Sequence, residues 1–257
     1  MRLLEVKSLT VSIAGMPICD GLNIKIQRGE RWAILGSNGA GKTTLLHTFA
    51  GLRPADEGQI YFSDKLLGEW PRKLLAQKLG LLLQDSNDIF PSTVLDTVII
   101  GRHPHLKFWE IESQSDFELA RKALADVSLE DAQDRQVNTL SGGERRRLAI
   151  AALLVQDPEL FLLDEPTNHL DMRYQIMFLE MLVKRAGARD GALCMVLHDA
   201  NLAARYCTHI MLMISPDDIM SGQVDEVLTD KNLARLYQFP IEAIETDTGR
   251  IFLPGSL

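Results

Sequence analysis

The chain has 257 residues, of which 46% are hydrophobic and 24% charged, and it carries a formal net charge of −8. That length accommodates one large domain or two small ones around a substantial core. The acidic balance speaks against a protein held to nucleic acid by a basic surface, and no apolar run approaches the roughly 18 residues of a membrane-spanning helix.

The first residues, Met1 to Lys7, meet charge too early for a secretory signal peptide. Apolar and polar residues then alternate over 3–13 and 22–26, the pattern of half-buried antiparallel strands. Arg28-Gly29-Glu30 reads as a turn into a short apolar strand, Arg31 to Leu35. Next comes Gly36-Ser37-Asn38-Gly39-Ala40-Gly41-Lys42-Thr43, which fits the phosphate-binding loop G-x-x-x-x-G-K-[ST] at every fixed position. A chance match in a chain of this size has odds of roughly one in a hundred. The flanks fit as well, because Thr44 to Ala50 is free of Gly and Pro and Gly51 supplies a helix stop.

Glycines let successive backbone N–H groups point at one anion, and a helix start adds free donors and partial positive charge. Lys42 is expected to reach the β and γ phosphates and the Thr43 hydroxyl to coordinate Mg²⁺.

Pro54 to Gly58 reads as a turn, Gln59 to Phe62 as a strand, Arg72 to Lys78 as a helix, and Leu79 to Leu83 as a strand ending at Gln84. From about Asp85 to Gln156 the pattern is mostly helical, with a capping-box form at Ser115 to Glu118. His103-Pro104-His105 lacks a nearby third ligand and reads as an exposed loop. Leu140-Ser141-Gly142-Gly143-Glu144 opens another helix, with Ser141 and Glu144 at capping-box spacing and two glycines that leave first-turn amides uncovered. Two readings stand here: a well-capped helix with nothing bound, or a second anion site. Arg145-Arg146-Arg147 spread around the helix axis and are expected on a solvated surface.

Strands return at Leu160 to Leu163, Ala192 to Leu197 and Ile210 to Ile214, separated by helical segments, which implies a parallel α/β sheet. The first ends in Asp164 and Glu165, carboxylates released at the edge where ligands sit in open sheets. Asp164 would hold Mg²⁺ through its waters and Glu165 would polarise an attacking water. His198 lies at the same edge, as a structural residue or a phosphate contact. Cys19, Cys194 and Cys207 are too few and too scattered for a disulfide framework, which suits a reducing cytosol. The tail from Ile241 suggests a hairpin around Asp247-Thr248-Gly249.

In this order the pieces resemble the nucleotide-binding subunit of ATP-binding cassette (ABC) transporters, over essentially the whole chain. The likeness rests on the phosphate loop at 36–43, Gln84 after an apolar strand (the Q-loop), Leu140 to Glu144 (the signature), Phe161 to Glu165 (Walker B), Asn168 to Asp171 (the D-loop) and His198 (the switch histidine). It implies an α/β P-loop NTPase (RecA-like) core with an N-terminal antiparallel β subdomain and an inserted α-helical subdomain. As one ABC ATPase domain over 1–257, the core would take 1–84 and 157–257 and the helical signature subdomain 85–156.

The resemblance further implies ATP and Mg²⁺ as ligands. Nucleotide would be held by residues 36–43, Thr44 and Ile13, the metal by Thr43, Gln84 and Asp164, and catalysis would fall to Glu165, His198 and Gln84. It implies a head-to-tail homodimer in which each ATP lies between the phosphate loop of one subunit and Ser141 to Gly143 of the other, with Asp171 in the D-loop. That assigns the helix start at 141 its anion.

Residues 100–106, 167–171 and 197–207 look most like the ATPases of bacterial importers for iron–siderophore complexes, haem and cobalamin. Such a subunit works on the cytoplasmic face of the inner membrane, with a separate permease and, indirectly, an extracytoplasmic binding protein, and without nucleic acid. The alternatives are an ABC ATPase outside transport, an importer or exporter of another substrate such as a metal ion, and a P-loop kinase. One departure is Ile13, near where many cassettes stack an aromatic on adenine. Its loss of stacking, roughly 0.5–1.5 kcal/mol, implies modest base selectivity.

Overall fold

A computed structural model describes residues 1–84, 91–247 and 249–256. The opening alternation becomes a long antiparallel pair, β1 (Arg2–Ile13) and β2 (Met16–Gln27). Their turn places Ala14 and Gly15 at φ 49° and 81°, the left-handed pair that suits a tight hairpin. β3 (Arg31–Gly36) leads into α1 (Lys42–Phe49), and β4 (Glu57–Phe62) returns to pair with β1, followed by the short β5 (Lys65–Leu66). These make a four-stranded antiparallel sheet in the order β2-β1-β4-β5.

After α2 (Arg72–Ala76), β6 (Leu79–Leu82) enters a second sheet. Three helices, α3 (Val94–Ile99), α4 (Gln114–Asp126) and α5 (Gly142–Gln156), intervene before β7 (Leu160–Asp164). The chain continues through α6 (Met172–Ala188), β8 (Ala192–Val196), α7 (Ala200–Tyr206), β9 (His209–Ser215), β10 (Asp218–Gln223), α8 (Val224–Val227) and α9 (Asp230–Tyr237). It closes with a hairpin, β11 (Ile241–Thr246) and β12 (Gly249–Pro254). The six-stranded sheet runs β10-β9-β3-β8-β7-β6, parallel except for the edge strand β10.

This sheet divides two cores. Trp32 and Ile34 of β3, Leu160 and Leu162 of β7, and Cys194 and Val196 of β8 face the antiparallel sheet and α1. The alternate residues, Ala33 and Leu35, Phe161 and Leu163, and Leu193 and Met195, face the helices. Coverage on both faces explains why these strands read as unbroken apolar runs. Each fully buried Leu or Phe in them is worth roughly 1.5–3 kcal/mol relative to exposure. The three cysteines are free and buried within these layers; burial pushes the Cys19 thiol up to about 11 and the Cys207 thiol to about 12.

The C-terminal hairpin is tied to α7. The Asn201 side chain accepts from the Phe252 N–H at 2.8 Å and donates to the Phe252 carbonyl at 3.2 Å. The Tyr237 hydroxyl donates to the His198 carbonyl at 3.3 Å.

Two expectations need correction, and one strand has no counterpart among them. The capping box of α4 is built by Ser113 and Asp116, two residues before the expected Ser115. Asp116 fills the role expected of Glu, its carboxylate accepting from both the Ser113 N–H and hydroxyl while Arg102 pairs with it at 2.7 Å. β10 falls in a polar, methionine-containing stretch and carries no alternation to announce it. Lastly, Arg146 is buried and not on a solvated surface, while Arg145 and Arg147 are half-buried and paired with nearby carbonyls. The three diverge around the axis of α5, which packs against α3, α4 and β6. Arg145 donates to the Asn138 carbonyl, Arg147 to the Val127 and Ser128 carbonyls while lying 4.6 Å from the Tyr174 ring centre, and Arg146 is buried.

Candidate nucleotide-binding site

The sheet edge at the C-terminal ends of β3, β6, β7 and β8 gathers the candidate residues. A cavity of about 570 Å³ is lined there by Ile13, Asn38, Gly39, Gly41, Lys42, Thr43, Thr44, Gln84, Glu165, Asn168 and His198. A slightly larger groove, about 620 Å³, lies against β4 and α2, but its only charged lining residues are Arg53 and Arg72. The chemistry converges on the first.

The loop owes its shape to its glycines. Gly39 and Gly41 stand at φ 81° and 85°, and a Cβ on Gly41 would come within 2.6 Å of the Ile18 side chain. Both backbone and space therefore demand glycine at 41. Gly41 also caps α1 with no side-chain bond, and the first turn carries no acid, so its amides stay available to an anion. Lys42 is 5% exposed, and its ammonium donates to the Gly36 and Ser37 carbonyls at 2.9 Å each. Burial holds its pKa below the usual range, against the opposing pull of Glu165 and Asp164.

Asp164 ends β7 with 0% exposure, and neither carboxylate oxygen has a hydrogen-bond partner among the described residues. Burial pushes its pKa up and the Glu165 charge adds to this; the nearby Thr43 hydroxyl, His47 and Arg146 temper it. A buried carboxylate without donors is unfavourable on its own, and a bound divalent cation is the partner that removes the penalty. Thr43 and Asp164 together therefore fit Mg²⁺.

Glu165, 7% exposed, stands at φ 49°. Its Oε1 meets His198 Nε2 at 2.7 Å, and its Oε2 accepts from Gln84 Nε2 at 3.1 Å and from the Asn168 amide. Three side chains from three loops thus aim one carboxylate. Asn168 enters the sequence only as the first residue of the Asn168 to Asp171 string, with no role of its own; its other signal is its position three residues beyond Glu165.

The other candidates lie apart from the cavity. Ser141 caps α5, accepting from the Glu144 N–H at 3.3 Å, while its own N–H donates to the Glu144 carboxylate at 2.8 Å. The Ser141 N–H, with help from Arg135, lowers the Glu144 pKa. Leu140 is buried, Ser141 and Gly142 are exposed, and a Cβ on Gly142 would meet nothing within 4 Å. Asp171 caps α6 through the Tyr174 N–H at 3.0 Å. His103 meets Glu112 at 3.1 Å and His105 meets the Gln156 carbonyl at 2.8 Å.

The sequence profile of the ABC transporter family matches residues 19–168, well over half the chain. The chain belongs to the ABC transporter family. As an ABC-family ATPase it is 35% identical over 246 residues to the petrobactin import ATP-binding protein FpuD of Bacillus anthracis, covering 96% of this chain and 90% of that one. It is 34% identical to the hemin import ATP-binding protein HmuV of Escherichia coli O157:H7, covering 95% of each. A solved chain from an ABC transporter described as of metal-chelate type, in an inward-facing conformation, superposes with a TM-score of 0.85 at 26% identity. That likeness covers 100% of this chain and 98% of the other. The fold expected from sequence is thus the ABC ATPase fold, and the ABC domain binds ATP. Among the described residues, no helix of this ABC ATPase is long and apolar enough to cross a membrane.

Proposed function

We propose that this ABC ATPase powers uptake of a metal chelate or related large ligand, of the iron–siderophore, haem or cobalamin class, through a separate membrane permease. The petrobactin and hemin import relatives support that class over nearly their whole length. In this reading the ATPase sits peripherally on the cytoplasmic face of the inner membrane, the helical unit expected over 85–156 (of which 85–90 lie outside the described residues) faces the permease, and an extracytoplasmic binding protein delivers the ligand.

Two copies pair head to tail. Each ATP lies between Gly36 to Thr44 of one copy, with Ile13 against the base, and Leu140 to Glu144 of the other, whose Asp171 lies at the same interface. Thr43, Asp164 and Gln84 would hold Mg²⁺, which neutralises charge on the β and γ phosphates. Glu165 accepts a proton from water as the water oxygen bonds to the γ phosphorus. The bond from that phosphorus to the β–γ bridging oxygen breaks, and ADP and phosphate leave. His198 and Gln84 orient Glu165 and the water, and Lys42 balances the phosphate charge.

The observation that carries the reading is the aim of Glu165, held by His198, Gln84 and Asn168 over the phosphate loop. Glu165→Gln tests it. The variant should bind ATP within about twofold of wild type, lose turnover by about a thousandfold, and accumulate as an ATP-bound dimer on size exclusion. Wild-type turnover would remove Glu165 as the base.

A further inference from the structure

We infer that Arg146 is a positioning residue that couples the two nucleotide sites of the dimer, by joining the signature helix to the catalytic carboxylate of its own subunit. The inference rests on the head-to-tail pairing proposed above. Arg146 lies one turn beyond Gly142 and Gly143 on α5 and is 6% exposed. Its Nη1 donates to the carbonyls of Leu83 at 2.5 Å and Gln84 at 3.3 Å. Its Nη2 donates to the Glu165 carbonyl at 2.7 Å and to that of Asp164, and its Nε to that of Pro166 at 3.4 Å. One guanidinium therefore grips the backbone on both sides of the Q-loop entry and of Glu165.

The grip falls where the chain is strained. Glu165 is held at φ 49°, a conformation that L side chains adopt only when their surroundings impose it. Three of the carbonyls that Arg146 holds belong to Glu165 and to its two chain neighbours. The guanidinium is planar, always charged and rigid in its donor directions, so it transmits rotation as well as displacement; an ammonium fixes only a point. When Ser141 to Gly143 close on the partner's nucleotide, any shift of the first turns of α5 reaches Gln84 and Glu165 of the same chain. Those two residues act on the other nucleotide.

The test uses the full-length chain with Arg146→Gln, which removes the charge and the fork, and Arg146→Lys, which keeps the charge only. Nucleotide affinity is read with a fluorescent ATP analogue, thermal stability by Tm, and hydrolysis as a function of ATP concentration well below Tm. Wild type should hydrolyse cooperatively, with a Hill coefficient approaching about 2. Both variants should bind within about twofold, lose about tenfold in kcat, and show a Hill coefficient near 1. Arg146→Lys should regain Tm relative to Arg146→Gln without regaining cooperativity. A fall in Tm with wild-type kcat and Hill coefficient would overturn the inference and leave Arg146 a structural tether. Failure of both variants to fold would overturn it as well. Hydrolysis by wild type with a Hill coefficient of about 1 would defeat the paired-site reading itself, a result visible before any substitution is made.

Discussion

Two helix starts in this chain look alike in sequence and differ in what their backbones do. α1 begins at Gly41 without a side-chain cap and without an acid in its first turn. α5 begins at Ser141 with a complete capping box, and Glu144 pairs with Arg135 at 3.0 Å. The first helix leaves its donors to a ligand, and Lys42 stands beside them. The second satisfies the Ser141 and Glu144 N–H groups internally and opens Gly142 to solvent, while Gly143 packs near the His169 carbonyl. An anion bound by α1 would hold in a single subunit, whereas α5 has too little left to bind one alone and suits the lid of a site assembled elsewhere.

The largest expected effect that sharpens this contrast is at α1. Lys42→Ala should weaken ATP binding by about 100-fold or more, the loss of one charge-assisted contact of about 3 kcal/mol, measured by equilibrium titration. Turnover should vanish with it. At α5 the effect should separate. Gly142→Asp places its side chain where nothing lies within 4 Å, and an acid in a first helical turn is favourable. Its Tm should stay within about 3 °C of wild type and ATP binding within about twofold. If the proposed head-to-tail pairing holds, ATP-driven dimerisation and turnover should fall by about tenfold or more, because the new carboxylate would repel the partner's phosphates. Equal loss of binding in the two variants would break the contrast.

A third helix start serves as the structural control. The Ser113–Asp116 box of α4 lines no part of the cavity. Bonds from Ser113 and the Arg102 guanidinium hold the Asp116 carboxyl down to about 2. Its unfolded value is about 3.9, so the folded pKa is depressed. The stabilisation is present in full above about pH 4 and is lost as pH falls toward about 2. Asp116→Asn should cost about 1 kcal/mol at neutral pH by denaturant titration, with a smaller penalty at pH 3, and leave turnover unchanged. The smallest effect concerns the base. Wild type should hydrolyse ATP and GTP at similar rates, and Ile13→Tyr should tighten ATP by about twofold to tenfold, as one stacking contact would. A strong wild-type preference for ATP would place base recognition elsewhere.

Legibility in the sequence followed the range of the interactions. The phosphate loop, the carboxylates after β7 and the box at Ser141 are local: spacing or strand termination announces each. Arg146 is not local, whereas Asn168 is local and simply has no pattern of its own. Arg146 acts on backbone brought near only by tertiary packing, and it read as surface because helical periodicity says nothing about how many neighbours enclose α5. The cap of α4 was displaced by two positions because Asp can serve where Glu was expected. β10 was missed because an edge strand need not alternate.

The hydrogen bonds between Asn201 and Phe252 give the molecule an internal reporter. Asn201 rides on α7, directly after His198, while the Phe252 amide belongs to the terminal hairpin. Any unseating of α7 frees that amide to solvent, so its hydrogen-exchange rate records the seating of the segment that carries His198 without a label inside the cavity.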